Sequence, residues 1–281
     1  MVDAVVQAME KIQSLGQNIG IRASMEANSE PLFKSGSLDY APGTPTASIG
    51  GPAVGYFPDI RRFLRGVLQA DNPKTRTCEL LVTHDNGIAI KSAFGDLGQV
   101  EFTSEDLDTL QRHVVFCHNN LEPRSILARI AAGPDSSSDS DSPRYELAAI
   151  IDWETAGFYP FAYEYGFKDC QLGLENLSFS WYALFKERTA HLLPEGECHD
   201  KLTRARRIID ESRKRVMTRN VGVRFQQRWV ARFGVKRSLD GRCGWVRKAG
   251  LESLRDLNKE DTELLELEVL EELGIRDFIA T

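Results

Sequence analysis

Apolar residues recur at spacings of three and four over residues 2–15, where Val2, Val5, Val6, Met9, Ile12 and Leu15 share one face. This spacing predicts an amphipathic helix at the start of the chain. The periodicity then lapses. Between Gly16 and Tyr56 the clusters Ser35-Gly36-Ser37, Ala41-Pro42-Gly43 and Gly50-Gly51-Pro52 are turn chemistry, and the segment reads as mostly irregular. Helical spacing returns over 59–70 and 104–113. Ser104 opens the second of these, with Glu105 and Asp106 where a helix N-terminus favours negative charge.

The pattern next changes to short buried strands: Val114-Val115-Phe116-Cys117, then a second apolar run from Leu147 to Ile151. Between them the stretch from Gly133 to Arg144, GPDSSSDSDSPR, is polar, acidic and turn-rich, and reads as a mobile hairpin tip. The remainder is predominantly helical, near 162–190, 200–217, 223–233 and 260–273, with breaks at Pro194, at Gly222 and over Gly241 to Gly250. No internal repeat is evident.

Composition narrows the class without naming it. A chain of 281 residues with 42% apolar content buries a real core. Asp3, Glu10 and Lys11 interrupt the first fifteen residues, which therefore lack the unbroken apolar run of a signal peptide or membrane span. A soluble, cytoplasmic protein with no membrane partner is expected. The five cysteines (78, 117, 170, 198 and 243) are odd in number, scattered and never in a C-x-x-C pair, so reduced thiols are expected rather than disulfides or a zinc knuckle. The net charge of −6 conceals a basic stretch, because residues 201–248 hold 16 Lys/Arg against 3 Asp/Glu. That stretch has no nucleic-acid motif and precedes an acidic segment, Glu252 to Asp277, able to neutralise it. We read it as solvated helices and do not expect a nucleic-acid partner.

Chemistry concentrates in two linked stretches: Phe116-Cys117-His118-Asn119-Asn120-Leu121-Glu122-Pro123-Arg124-Ser125-Ile126-Leu127, and Ile150-Ile151-Asp152-Trp153-Glu154-Thr155-Ala156-Gly157-Phe158-Tyr159-Pro160. The first has the layout that kinases write H-x-D-x-x-x-x-N, and the second is an acid ending a buried strand. Kinases use the pair to place a base and metal ligands.

On these residues the chain resembles the aminoglycoside phosphotransferase and choline kinase superfamily, particularly its fungal branch, whose motifs read H-G-D-L-x-P-x-N-I-L and I-D-W-E-x-A-G-x-x-P. The second motif matches at every position. The likeness continues more weakly through Tyr163-Glu164-Tyr165, Asp210-Glu211-Ser212-Arg213 and Arg219-Asn220-Val221-Gly222, and Gly36-Ser37-Leu38-Asp39 is similar to the region after the nucleotide lobe in that branch. The resemblance implies an α+β fold: the mostly helical C-terminal lobe of a protein-kinase-like protein with a small β-hairpin region. It implies one domain over 1–281, with a helix and irregular post-hinge region at 1–110, a catalytic-loop and metal-acid core at 111–160, and a helical subdomain at 161–281. Only 117 residues precede His118, so the nucleotide lobe is expected to be missing.

Carried over, the resemblance makes Asp152 the Mg²⁺-binding acid and His118 the brace of the catalytic loop. Trp153 and Glu154 would pack and pair behind the acid. Two departures stand beside these matches: Asn120 occupies the position of the catalytic Asp, and Ser125 that of the metal-binding Asn. An amide keeps the shape of a carboxylate but accepts no proton, so general-base help worth about 10²–10⁴-fold is forfeited. Ser125 still offers an oxygen ligand. Phosphoryl transfer depends chiefly on positioning and metal electrostatics, so slow turnover survives such a loss.

The expected function is a degenerate family member with weak or no phosphotransfer, binding a small molecule or a protein partner. The alternative is an active ATP-dependent kinase of a small-molecule hydroxyl or amine, with ATP and Mg²⁺ as cofactors. Two short motifs imitate nucleotide elements. Ile49 to Gly55 looks like a phosphate loop but lacks flanking strands, and Gly87-Ile88-Ala89-Ile90-Lys91 looks like a lysine-bearing strand but lies only 27 residues before His118. The aromatic run Trp153, Phe158, Tyr159, Phe161, Tyr163, Tyr165 and Phe167 is expected in the core. His84, His113, His191 and His199 have no ligand-like spacing.

Overall fold

Four small antiparallel sheets and eight helices form a mixed α+β fold among the residues that the computed structural model describes: 2–23, 49–69, 76–131, 144–217 and 220–275. The Gly36–Asp39 stretch and the acidic linker up to residue 143 lie outside them. No helix among the described residues is long and apolar enough to cross a membrane.

The predicted first helix is α1 (Val2–Ala23), and Val5, Val6 and Met9 of its apolar stripe are buried. The stretch after it is less irregular than expected. It contains β1 (Ile49–Gly51) and β2 (Gly55–Phe57), which pair as a hairpin, so the glycine run does have flanking strand structure. The glycines serve close packing. β1 also pairs with β9 (Gly157–Pro160) at Gly50↔Phe158, where a Cβ on Gly157 would sit 2.2 Å from the Gly50 carbonyl oxygen. One on Gly51 would sit 2.5 Å from that of Ala156. Only hydrogen at these positions lets the two strands meet.

The sheet is completed by β6 (Val114–Cys117) in the order β2-β1-β9-β6. Val115 and Cys117 are buried while Val114 and Phe116 are half-buried, the alternation of a strand with one face on the core. Next, α2 (Ile60–Gln69) buries Ile60, Phe63, Leu64 and Val67. A three-stranded meander follows, of β3 (Cys78–Val82), β4 (Ile88–Ser92) and β5 (Gln99–Phe102). Ile88, Ile90, Val100 and Phe102 point inward from it, and a buried Ser92–Ser212 hydroxyl pair at 2.7 Å ties it to the helix that carries Ser212. Lys91 of the lysine-strand look-alike is exposed on this meander.

Helix α3 (Ser104–Arg112) starts at the expected residue, but Thr103, not Ser104, is its cap. The Thr103 hydroxyl accepts from the Asp106 N–H, and the Asp106 carboxylate accepts from the Thr103 N–H. The β7 (Ile126–Ile130) and β8 (Tyr145–Ile150) strands pair beside the acidic linker. The segment read as one helix near 162–190 is two, α4 (Phe161–Gln171) and α5 (Phe179–Thr189), the second capped by Ser178. Helices α6 (Glu197–Val216), α7 (Val221–Arg232) and α8 (Lys259–Glu272) follow the predicted spans, and Asn220 and Asn258 cap the last two. The Gly241–Gly250 break holds a strand, β11 (Trp245–Arg247), which pairs with β10 (Val235–Arg237) just before the break.

The main core lies where α2, α4 and α6 meet the first sheet and the meander. A second cluster joins Leu172, Tyr182, Trp229, Val235 and Leu265. The acidic segment pairs with the basic one: Arg228 meets Glu272 at 2.8 Å, and Arg232 meets Glu268 at 2.6 Å. These pairs are exposed, so they orient α8 on α7 more than they stabilise it. All five cysteines are free.

Candidate functional site

Two strand pairings bring the two chemical stretches together. In one, Cys117 stands opposite Gly157, so the chain leaving β6 and the chain entering β9 emerge side by side. In the other, Ile126 stands opposite Ile150, and the Ile151 N–H donates to the Ser125 carbonyl at 2.9 Å. The loop 118–125 and the turn 151–156 are thus clamped at both ends. Asn119 and Asp152 take left-handed backbone at φ 63° and 64°, a conformation that Asn and Asp tolerate better than most residues.

His118 braces this loop with both ring nitrogens. Nε2 bonds the Ile151 carbonyl at 2.8 Å, and Nδ1 accepts from the Asn120 N–H at 3.2 Å. The carbonyl can only accept and the N–H can only donate, so the imidazole is the neutral tautomer with its proton on Nε2. Burial lowers its pKa from the ordinary value, the Ile151 carbonyl opposing. The Thr155 hydroxyl donates to the His118 carbonyl at 3.0 Å, and the Trp153 ring packs 4.6 Å from the imidazole. Trp153 thus packs on His118 and stacks on Phe116, whereas Glu154, expected to pair, is exposed and forms no ion pair among the described residues.

The Ser125 hydroxyl is fully buried, 3.3 Å from Asp152 Oδ2 and 3.3 Å from the Asn120 main-chain carbonyl. The Asp152 carboxylate itself is exposed. Asn120 reaches this pair through its backbone, not its amide: the amide Oδ1 turns to accept from Gln171 Nε2 at 2.9 Å. The Asn120 side chain thus presents a neutral oxygen engaged by a neutral donor.

Behind the loop lies a set of residues that the sequence reading did not single out. Glu164, 1% exposed, accepts from the N–H groups of His118 and Asn119 at 3.2 and 3.1 Å. Lys168, one turn on and equally buried, pairs with Glu122 of the loop and donates to Gln171 Oε1 at 3.1 Å. Burial raises the carboxyl pKa of Glu164 and of Glu122 and lowers that of the Lys168 ammonium, while the Lys168–Glu122 attraction works against it. The other Glu122 oxygen is buried without a hydrogen bond. A signal for this set was present: Glu164, Lys168 and Gln171 are spaced i, i+4, i+7 on a helix otherwise rich in aromatics, one polar stripe that must find partners inside.

Ser125, Asp152 and the Asn120 carbonyl offer oxygen donors with a single formal charge. That suits the protein's share of a Mg²⁺ held chiefly by phosphate oxygens, and is too little charge for a cage made by the protein alone. No group of three His, Cys, Asp or Glu side chains able to hold a metal exists among the described residues. His84 and His191 are exposed, the latter 2.7 Å from Glu10, and His199 is buried edge-on to His113 at 5.3 Å. No protein-family model, curated protein or solved structure matches the chain.

Proposed function

We propose that the chain is a degenerate protein of the aminoglycoside phosphotransferase and choline kinase type, with weak or no phosphotransfer and a binding or regulatory role. The observation that carries the reading is the Asn120 amide, bonded to Gln171 where the family needs a charged base, beside a Ser125–Asp152 pair. Supporting it, the loop is braced by a neutral His118 and anchored on buried Glu164. When bound, Mg²⁺ would supply electrostatic stabilisation of phosphate oxygens. Asp152 and Ser125 would hold it, and no side chain nearby in the loop would take the acceptor's proton.

Two measurements test this. A thermal-shift titration with Mg·ATP reads nucleotide binding, since ligand at about a hundred times its dissociation constant adds about 2.7 kcal/mol of stability. Phosphate release from ATP, with water as acceptor, then compares the natural chain with Asn120→Asp. The expected outcome is a gain of about 10²–10⁴-fold in the variant, the usual worth of a general base. Equal and substantial rates would overturn degeneracy in favour of an active ATP-dependent kinase. No thermal shift would count against the kinase lineage altogether.

A further inference from the structure

The orientation of the Asn120 amide is set from behind by a relay of side chains. The Lys168 ammonium, 1% exposed, can only donate, and it donates to Gln171 Oε1 at 3.1 Å. The Glu175 carboxylate can only accept, and it accepts from Gln171 Nε2 at 3.1 Å. A cation on one side and an acid on the other leave the buried Gln171 amide a single orientation, oxygen to Lys168 and nitrogen to Glu175. That same Nε2 donates to Asn120 Oδ1 at 2.9 Å. Turning the Asn120 amide over would set two NH₂ groups against each other, so the relay fixes this amide as well.

With its oxygen engaged inside the protein, the Asn120 amide has only Nδ2 left for a ligand. That nitrogen donates and cannot accept, and it bonds none of the described residues. The side chain is half-buried, and the main-chain carbonyl of the same residue lies 3.3 Å from the Ser125 hydroxyl, which is itself 3.3 Å from Asp152 Oδ2. A hydroxyl group arriving here finds no acceptor on the Asn120 side chain, whereas an anion's oxygen finds a donor. A Mg²⁺ held by Ser125 and Asp152 keeps one positive charge after the single carboxylate is counted, which favours an anion further.

We propose that this loop binds a phosphomonoester together with Mg²⁺, Asn120 Nδ2 donating to a phosphate oxygen and Gln171 acting as the positioning residue that keeps the donor available. The loop then prefers a phosphorylated small molecule to the free hydroxyl compound. This assignment rests on the Mg²⁺ pair of the proposed function and not on nucleotide binding.

The test is isothermal titration of the full chain with methyl phosphate at saturating Mg²⁺. Saturable one-to-one binding at millimolar concentration is expected, and it should vanish when Mg²⁺ is chelated. Asn120→Leu keeps the shape and removes the donor, and Asn120→Asp adds a like charge as well. Both should bind about ten- to a hundredfold more weakly, Asp the worse of the two, since a hydrogen bond to a charged group is lost. Nuclear magnetic resonance reads the donor directly, because methyl phosphate should shift the Asn120 side-chain NH₂ signals. In Gln171→Glu the new carboxylate draws Nδ2 to itself, so those signals should stay put although residue 120 is unchanged; a purely structural Gln171 would not produce this effect. Unchanged affinity in a folded Asn120 variant overturns the proposal, as do binding that persists without Mg²⁺, an Asn120 NH₂ that methyl phosphate leaves unmoved in the natural chain, and the absence of saturable binding. Displacement of methyl phosphate by Mg·ADP also overturns it, since the contact would then belong to a nucleotide. Methyl phosphate binding without a Mg·ATP thermal shift would leave this site standing while the kinase lineage falls, and a Mg·ATP shift without methyl phosphate binding would do the reverse.

Discussion

Replacing His118 by Phe keeps a ring of similar size against Trp153, 4.6 Å away, and removes two hydrogen bonds, one to the Ile151 carbonyl and one from the Asn120 N–H. Both backbone groups are only part-buried, so each lost bond costs about 0.5–1.5 kcal/mol net, or about 1–3 kcal/mol together. The pH dependence separates this mechanism from a simple packing defect. Burial lowers the folded-state pKa of His118, so the unfolded chain binds a proton more readily. The stability that the neutral imidazole contributes is then fully present above the unfolded value of about 6.5 and is lost as pH falls through the lowered folded value. Protonation would also set two N–H donors against each other at Nδ1. The assay is urea unfolding of both proteins at pH 7.5 and 5.5. His199, whose pKa burial lowers to about 4, titrates in both and cancels from the difference. The wild type should lead by about 1–3 kcal/mol at pH 7.5, and the lead should shrink at pH 5.5. A lead that is unchanged or larger at pH 5.5 would refute the neutral, doubly bonded imidazole.

Two further outcomes follow from buried contacts. Lys168→Met strands the Glu122 carboxylate in the interior and should cost about 3–5 kcal/mol, while Lys168→Met with Glu122→Gln should recover much of it; equal urea midpoints for the single and double variants would contradict the pairing. Gly157→Ala forces a methyl to within 2.2 Å of the Gly50 carbonyl oxygen and should destabilise by about 1–3 kcal/mol or more, with slowed exchange lost first at the β1–β9 amides. A neutral Gly157→Ala would mean that the strands do not meet there.

What the order of residues alone determined was local. Helical spacing announced α1, α2, α3, α6, α7 and α8, because a stripe of apolar side chains is a property of neighbouring residues. The candidate loop was legible in the same way: His118, Asn120, Ser125 and Asp152 stand in two short linked stretches, and that Asn120 is neutral is visible without coordinates. The three-residue strands were not legible. Ile49-Gly50-Gly51 carries no alternation, and it is a strand because of the backbone it pairs with: β2 in a hairpin, and Phe158 more than a hundred residues later.

Tertiary structure alone decided which polar atoms face which. It turned the Asn120 amide to Gln171 and left its carbonyl to Ser125, placed Glu164 under the loop, and buried Lys168 against Glu122. These contacts join residues that are far apart along the chain. Their energies come from desolvation, which exists only after the helices and sheets have closed around the groups, and so no local pattern can encode them.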